Sequence, residues 1–205
     1  FSTMNVLILG GGGREHALAW RISKSEHCDH LYVAPGNAGT LKIAENVPIA
    51  PTEFLQIKEF VNKKNIHLIV VGPEAPLVAG IKDFFEETQL KDVHVLGPNK
   101  AAAMLEGSKD FAKQFMQENK IPTAAYKTFT ADSLKEGKAF LDSLQPPYVL
   151  KADGLAGGKG VLIVDDLEEA KKQLDEMLLH KKFGNAAKQV VIEEFLDGTE
   201  MSIFV

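Results

Sequence analysis

The sequence predicts an α/β protein in two parts, a parallel sheet flanked by helices and then an antiparallel sheet with helices. Three observations predict it. Up to Asn99, apolar runs at residues 5–9, 31–34, 66–71 and 93–96 alternate with segments of helical period. Such alternation implies right-handed crossovers within a parallel sheet, and nearly continuous apolar runs suit strands buried on both faces. After Ala101 that alternation stops. Two apolar runs, 148–150 and 161–164, then flank Lys151-Ala152-Asp153-Gly154-Leu155-Ala156-Gly157-Gly158-Lys159-Gly160, which reads as strand, glycine loop, strand.

Taken in order, the run at 5–9 leads into Gly10-Gly11-Gly12-Gly13. A helix is expected over 14–25, with Ala17, Leu18, Arg21 and Ile22 at helical spacing. The strand at 31–34 ends in Pro35-Gly36-Asn37-Ala38-Gly39. Thr52 is expected to cap a helix through Lys63 that buries Phe54, Leu55, Ile57, Phe60 and Val61. The strand at 66–71 stops at Gly72-Pro73-Glu74-Ala75-Pro76, and one helix should follow to about Thr88. The run at 93–96 ends in Gly97-Pro98-Asn99. Ser108 should cap a helix to Asn119; 124–129 should be a strand and 131–144 a helix. Asp165-Asp166 opens a last helix, with Glu168 and Lys172 spaced to pair at i, i+4. A strand is expected over 189–195, and the chain closes on another apolar run at Val205. The expected division is an expression remnant at 1–3, a first domain at 4–100, a linker and helix at 101–122, and a second domain at 123–205.

Bulk properties narrow the function. The chain has 205 residues, 45% of them hydrophobic and 25% charged, as in an ordinary soluble protein. A net charge of −5 argues against a nucleic-acid surface but allows local basic pockets. No apolar run is long enough to span a membrane, and no basic region precedes the first one, so neither a membrane partner nor a secretion signal is expected. The single Cys28 cannot form an internal disulfide, which points to a reducing compartment such as the cytoplasm. The six histidines show no metal-ligand spacing.

The chemistry concentrates in the two glycine loops. Four glycines within 154–160 leave backbone N–H groups open to an anion, and Lys151 and Lys159 add positive charge. A nucleoside triphosphate is the natural ligand, although two adjacent glycines also suit a plain hairpin turn. The loop is not a Walker motif, because Gly158-Lys159 is followed by Gly160 and a strand rather than by Ser or Thr and a helix. A glycine loop between antiparallel strands resembles the ATP-grasp superfamily. Lys109 stands in a helix's first turn, an unfavourable place for a cation without an anionic partner. Glu193-Glu194-Phe195-Leu196, followed by Glu200, resembles a hinge whose backbone reads adenine and whose later carboxylate takes ribose hydroxyls. The first glycine loop follows a strand and opens a helix, as a phosphate site does. The dinucleotide fingerprint fails there, since Glu15 or His16 occupies the third glycine position and no acid ends the second strand. Glu74 lies at a strand's C-terminal end, where open α/β sheets bind ligands.

Together the segments at 6–18, 34–40, 71–78, 105–109 and 151–160 resemble the phosphoribosylamine–glycine ligase (glycinamide ribonucleotide synthetase) family. The resemblance covers the chain from Met4 onward. It implies a Rossmann-like first domain and the first part of an ATP-grasp domain. It also implies an ATP-dependent joining of glycine to 5-phosphoribosylamine through glycyl phosphate, in purine biosynthesis. By position, Lys109 and Lys151 would contact ATP, and Asp153, Gly154, Gly157, Gly158, Lys159 and Gly160 would cover its phosphates. Glu193 and Leu196 would read adenine, with Glu194 and Phe195 also in the ATP site, and Glu200 would take the ribose, while Gly13, Arg14, Glu15 and Glu74 would help hold phosphoribosylamine. Family members are much longer, so this chain resembles an N-terminal portion. The ligands for Mg²⁺ or Mn²⁺ are expected beyond residue 205, none within it, and the chain alone is expected to be inactive. Another ATP-grasp enzyme of the purine pathway, or a non-catalytic nucleotide-binding fragment, are the alternatives.

Overall fold

The computed structural model describes residues 3–88, 90 and 93–203. Phe1 and Ser2 of the expected expression remnant, and Phe204 and Val205 of the closing apolar run, lie outside the described residues. The chain divides into two compact units, residues 1–104 and 105–205. Among the described residues no helix is long and apolar enough to cross a membrane.

The first unit is a five-stranded sheet. Its elements are β1 (Met4–Gly10), α1 (Gly13–Ile22), β2 (Cys28–Pro35), β3 (Glu45–Asn46), α2 (Phe54–Lys64), β4 (Leu68–Val71), α3 (Glu74–Ala79), α4 (Ile81–Glu87) and β5 (His94–Leu96). The strands lie in the order β3-β2-β1-β4-β5 and every pairing is parallel. Alternation along β1 explains its unbroken apolar run. Leu7 and Leu9 enter a core with Ile57, Val61, Ile81 and Phe85, whereas Val6 and Ile8 enter a second core with Ala19 and Val33. Both faces are thus covered, as a parallel sheet requires.

Several expectations change here, among them Leu55, expected on the buried side of α2 but 70% exposed. Thr52 does not cap α2: its carbonyl accepts from the Phe54 N–H at 3.1 Å, and this turn moves the helix start onward to put Glu53 at the N-cap. The helix expected after Gly72–Pro76 to about Thr88 begins earlier, at Glu74, and is two helices, because Gly80 adopts a left-handed φ of +93° that no helix interior holds. The two-residue β3 is an additional strand, too short and polar to show as an apolar run.

Helix α5 (Lys100–Gly107) runs across the point where the chain divides. The second unit holds α6 (Lys109–Glu118), β6 (Tyr126–Thr130), α7 (Leu134–Asp142), β7 (Tyr148–Ala152), β8 (Val161–Val164), α8 (Leu167–Leu178) and β9 (Gln189–Glu193). Its sheet runs β6-β9-β7-β8, all antiparallel. Leu150, Ala152, Val190, Ile192 and Phe129 form one core with Leu141, Leu174 and Met177 of α7 and α8. The alternate residues Val149, Lys151, Val191 and Glu193 therefore line the opposite face. Helix α6 reaches that face through Asp110, bonded to Thr128, and through Lys113, paired with Glu193.

Ser108 and Asp166 cap α6 and α8, accepting from the Phe111 and Glu169 N–H groups. The helix expected over 131–144 begins as a 3-10 turn, and the strand expected over 189–195 ends at Glu193. Glu168 pairs with Lys171 and Glu169 with Lys172, both at i, i+3, in place of the expected Glu168–Lys172 pair. Lys171 also pairs with Asp142 of α7, at 2.8 Å.

Candidate functional site

Each unit carries a candidate site built on a glycine loop. In the first, the loop leaves the C-terminal end of β1 beside the end of β4. These neighbouring strands are followed by connections to opposite sides of the sheet, so the crevice is a topological switch point. Gly11, Gly12, Gly13 and Arg14 are exposed at the start of α1, where helix N–H groups lack intrahelical acceptors. A second loop braces the first: Asn37 Nδ2 donates to the Gly11 carbonyl at 3.0 Å, and the Gly36 N–H donates to the Gly10 carbonyl at 3.1 Å. The second loop is itself fixed by Thr40 and Asn46, with Thr40 Oγ1 donating to Asn46 Oδ1 at 2.7 Å.

The four residues expected here separate into two roles. Glu15 is buried, 6% exposed, and its carboxylate accepts from the Gly12 N–H at 2.6 Å. It sits where side chains at Gly10 or Gly72 would stand, so those positions need glycine. Glu15 therefore holds the loop from beneath. Gly13 is open, with nothing within 4 Å of a Cβ built on it. Arg14 donates to the Gly72 carbonyl at 2.8 Å and pairs with Glu74 at 3.3 Å. Arg14 and Glu74 thus form an exposed polar pair at the mouth of the crevice.

The second site is a lysine-rich cluster beside the loop between β7 and β8. The loop is closed at its neck by the Ala152 N–H donating to the Gly160 carbonyl at 2.7 Å. At its tip the Lys159 N–H donates to the Ala156 carbonyl, and Gly157 and Gly158 both have left-handed φ, +56° and +76°. The tip is thus a hairpin-type turn, as the plain reading of two adjacent glycines holds. Yet nothing lies within 4 Å of a Cβ built on Gly157 or Gly158, and among the described residues none accepts from their N–H groups. Lys159 is exposed beside them. Open N–H groups and a neighbouring ammonium fit an anion.

Asp153 behaves differently from the rest of the loop. It is 8% exposed and points inward. Its carboxylate accepts from Ser108 Oγ at 2.9 Å, the Asp110 N–H at 2.8 Å and Gln189 Nε2 at 3.2 Å. Such an acid, with its lone pairs committed, fastens the start of α6 to the start of the loop. Lys109 completes this junction, its Nζ donating to the Asp153 and Gly154 carbonyls at 3.4 and 3.3 Å. Burial pushes the Lys109 ammonium's pKa down, with Lys151 acting in the same sense and Asp153, Glu106 and Glu193 opposing.

Lys151 Nζ lies 2.9 Å from Oε2 of the buried Glu193. Lys113, a residue that sequence reasoning missed, lies 3.2 Å from the same oxygen. Nothing in the local pattern marks Lys113, because its partners come from β9 and from Thr123 and Ala124. The Glu194 N–H donates to the Ala125 carbonyl, and its carboxylate accepts from the Ala125 N–H. Phe195, Leu196 and Glu200 lie in the exposed irregular segment after β9, and Glu200 makes no hydrogen bond or ion pair with the described residues. The structure thus joins Lys109, Lys151, Asp153, Gly154 and Glu193 into one cluster and leaves Glu200 apart from it. Among the described residues no group of three or more His, Cys, Asp or Glu could hold a metal ion.

Comparison with known proteins follows the same division. Residues 4–106 match the phosphoribosylglycinamide synthetase N domain, and residues 107–205 match the phosphoribosylglycinamide synthetase ATP-grasp (A) domain. A phosphoribosylamine–glycine ligase of Haemophilus influenzae is 50% identical over 98% of this chain. The chain spans about half the length of the curated relatives it matches, 46% in that case. The crystal structure of phosphoribosylamine–glycine ligase from Thermotoga maritima superposes with a TM-score of 0.74 at 36% identity, over 95% of this chain and 44% of that one. The biotin carboxylase domain of a Hydrogenobacter thermophilus 2-oxoglutarate carboxylase, solved with MgADP, ADP and bicarbonate, shares the fold. Its TM-score is 0.72 at 18% identity, over 96% of this chain and 45% of that one.

Proposed function

The chain belongs to the phosphoribosylglycinamide synthetase family, and we propose that it supplies the ATP loop and the aminosugar-binding loop of an enzyme that ligates glycine to 5-phosphoribosylamine. The observation that carries this reading is the second unit's cluster. Open Gly157 and Gly158 N–H groups stand on a loop whose neck is held by Lys109 and Asp153, with Lys151 and Lys159 close in sequence. In this reading Lys109, Lys151 and Lys159 neutralise ATP phosphates, and the segment from Glu193 to Leu196 reads adenine with its backbone. Glu200 would take the ribose. The first loop, with Gly13, Arg14 and Glu74, holds phosphoribosylamine at the switch point, and Glu15 shapes that loop from below.

The reaction then runs in two balanced steps. A glycine carboxylate oxygen attacks the γ-phosphorus, releasing ADP and forming glycyl phosphate. The sugar amine next attacks the acyl carbon and gives up one proton, which leaves with the departing phosphate as glycinamide ribonucleotide forms. Both steps depend on positioning and on charge stabilisation rather than on a protein nucleophile. Mg²⁺ or Mn²⁺ would neutralise developing phosphate charge when bound. In this reading its ligands lie in the part of the relatives' length that this chain does not span.

The test is ADP release by the full-length protein with Mg-ATP. Release that requires both glycine and 5-phosphoribosylamine is expected. Release with bicarbonate and an aminoimidazole ribonucleotide instead would assign a carboxylase. A second prediction separates the two loops. Glu74→Ala is expected to raise KM for phosphoribosylamine about three- to tenfold, the loss of one exposed polar contact, with little change for ATP. Steady-state kinetics varying each substrate checks this; a selective ATP defect would assign Glu74 to the other pocket.

A further inference from the structure

Resting on the ATP reading above, we propose that Lys113 is a positioning residue, the fixed counter-ion that allows Lys151 to leave Glu193 for a phosphate. Three facts carry this. First, both ammonium groups lie against one oxygen of one buried carboxylate, Lys113 at 3.2 Å and Lys151 at 2.9 Å from Glu193 Oε2. Second, the two lysines are held unequally. The Lys113 side chain is 8% exposed and also donates to Thr123 Oγ1 at 2.8 Å and to the Ala124 carbonyl at 3.2 Å, with the Tyr126 ring 5.4 Å away. The Lys151 side chain is 27% exposed and has Glu193 as its one hydrogen-bond partner among the described residues. Third, Lys151 is the next-to-last residue of the strand that enters the glycine loop, so it stands at the root of that loop.

A buried carboxylate stripped of its only cation is strongly disfavoured. If Glu193 had Lys151 alone, capture of Lys151 by a phosphate would leave that carboxylate unpaired, and the cost would be subtracted from nucleotide affinity. Lys113 removes the cost because it stays. Glu193 then acts as a resting place for Lys151 until a phosphate takes it up.

The decisive property is suppression, which a merely structural lysine would not show. Mg-ATP is titrated calorimetrically into the full-length protein and its variants, each checked for folding by thermal unfolding. Lys113→Met is expected to weaken ATP binding about tenfold or more, and Lys113→Arg by less than about threefold. Adding Glu193→Gln to Lys113→Met is expected to restore affinity to within about threefold of the parent, because no buried charge then retains Lys151. A Lys113→Met protein that binds as the parent does, or a double variant as weak as the single one, overturns the proposal while leaving the ATP site standing. A parent protein that binds no ATP overturns both. Should Lys113→Met fail to fold, Lys113→Gln takes its place in both the single and the double variant, and the same two outcomes support or overturn the proposal.

Discussion

Asp153→Ala is expected to destabilise the second unit by about 3–5 kcal/mol, the range for breaking a buried, charged hydrogen-bond network. The carboxylate accepts from Ser108 Oγ, the Asp110 N–H and Gln189 Nε2, joining three segments distant in sequence. Truncation leaves these donors without an acceptor in a region where Ser108 and Asp153 are both 8% exposed. Ser108 also caps α6, so its hydroxyl would lose one of the two bonds that orient it. Because the Asp153 and Gly154 carbonyls receive the Lys109 ammonium, the displacement would reach the anion site as well. Denaturant unfolding of the full-length protein measures the loss. Asp153→Asn keeps an acceptor and is expected to lose roughly half as much. An Asp153→Ala protein as stable as the parent would mean that α6 and the loop are joined by other contacts.

Gly72→Ala is expected to damage the first unit severely. A Cβ there collides with the Glu15 carboxylate, whose Cδ would stand 2.6 Å away. Glu15 is buried and bonded to the Gly12 N–H, so it has little room to retreat. Overpacking together with a lost charged hydrogen bond amounts to about 2–4 kcal/mol. The Gly72 carbonyl also accepts from Arg14, so the crevice mouth would distort with the loop. Kinetics of the full-length protein should show a larger defect for phosphoribosylamine than for ATP. Thermal unfolding should show a lower midpoint. A variant that keeps both properties would show that Glu15 can adopt another rotamer at no cost.

Much of the fold was legible because its signals are local. Residues 6–9 alternate between two buried cores, which turns the strand into a continuous apolar run. The glycine loops were legible because open or left-handed backbone selects glycine, as at Gly157 and Gly158. What stayed hidden was non-local. Asp153 stands among loop residues in the sequence, but its carboxylate answers donors 36 to 45 positions away. Glu15 reads as a first-turn acid, while its burial depends on the close approach of Gly72. Lys113 lies in an ordinary amphipathic helix, and only the return of β9 beside it supplies Glu193. Gly80 could be seen in the sequence, but a lone glycine is tolerated in many helices, and its left-handed φ is a property of the folded chain.

The central claim is that the loop between β7 and β8, with its lysines, binds ATP. Calorimetric titration of Mg-ATP into the full-length protein and into Lys151→Ala tests it most directly. The account predicts that the parent binds. It predicts that Lys151→Ala stays folded and loses about 1.5–3 kcal/mol of binding free energy, the range for one charge-assisted phosphate contact. Equal affinity of mutant and parent would contradict it, as would a folded parent that takes up no ATP.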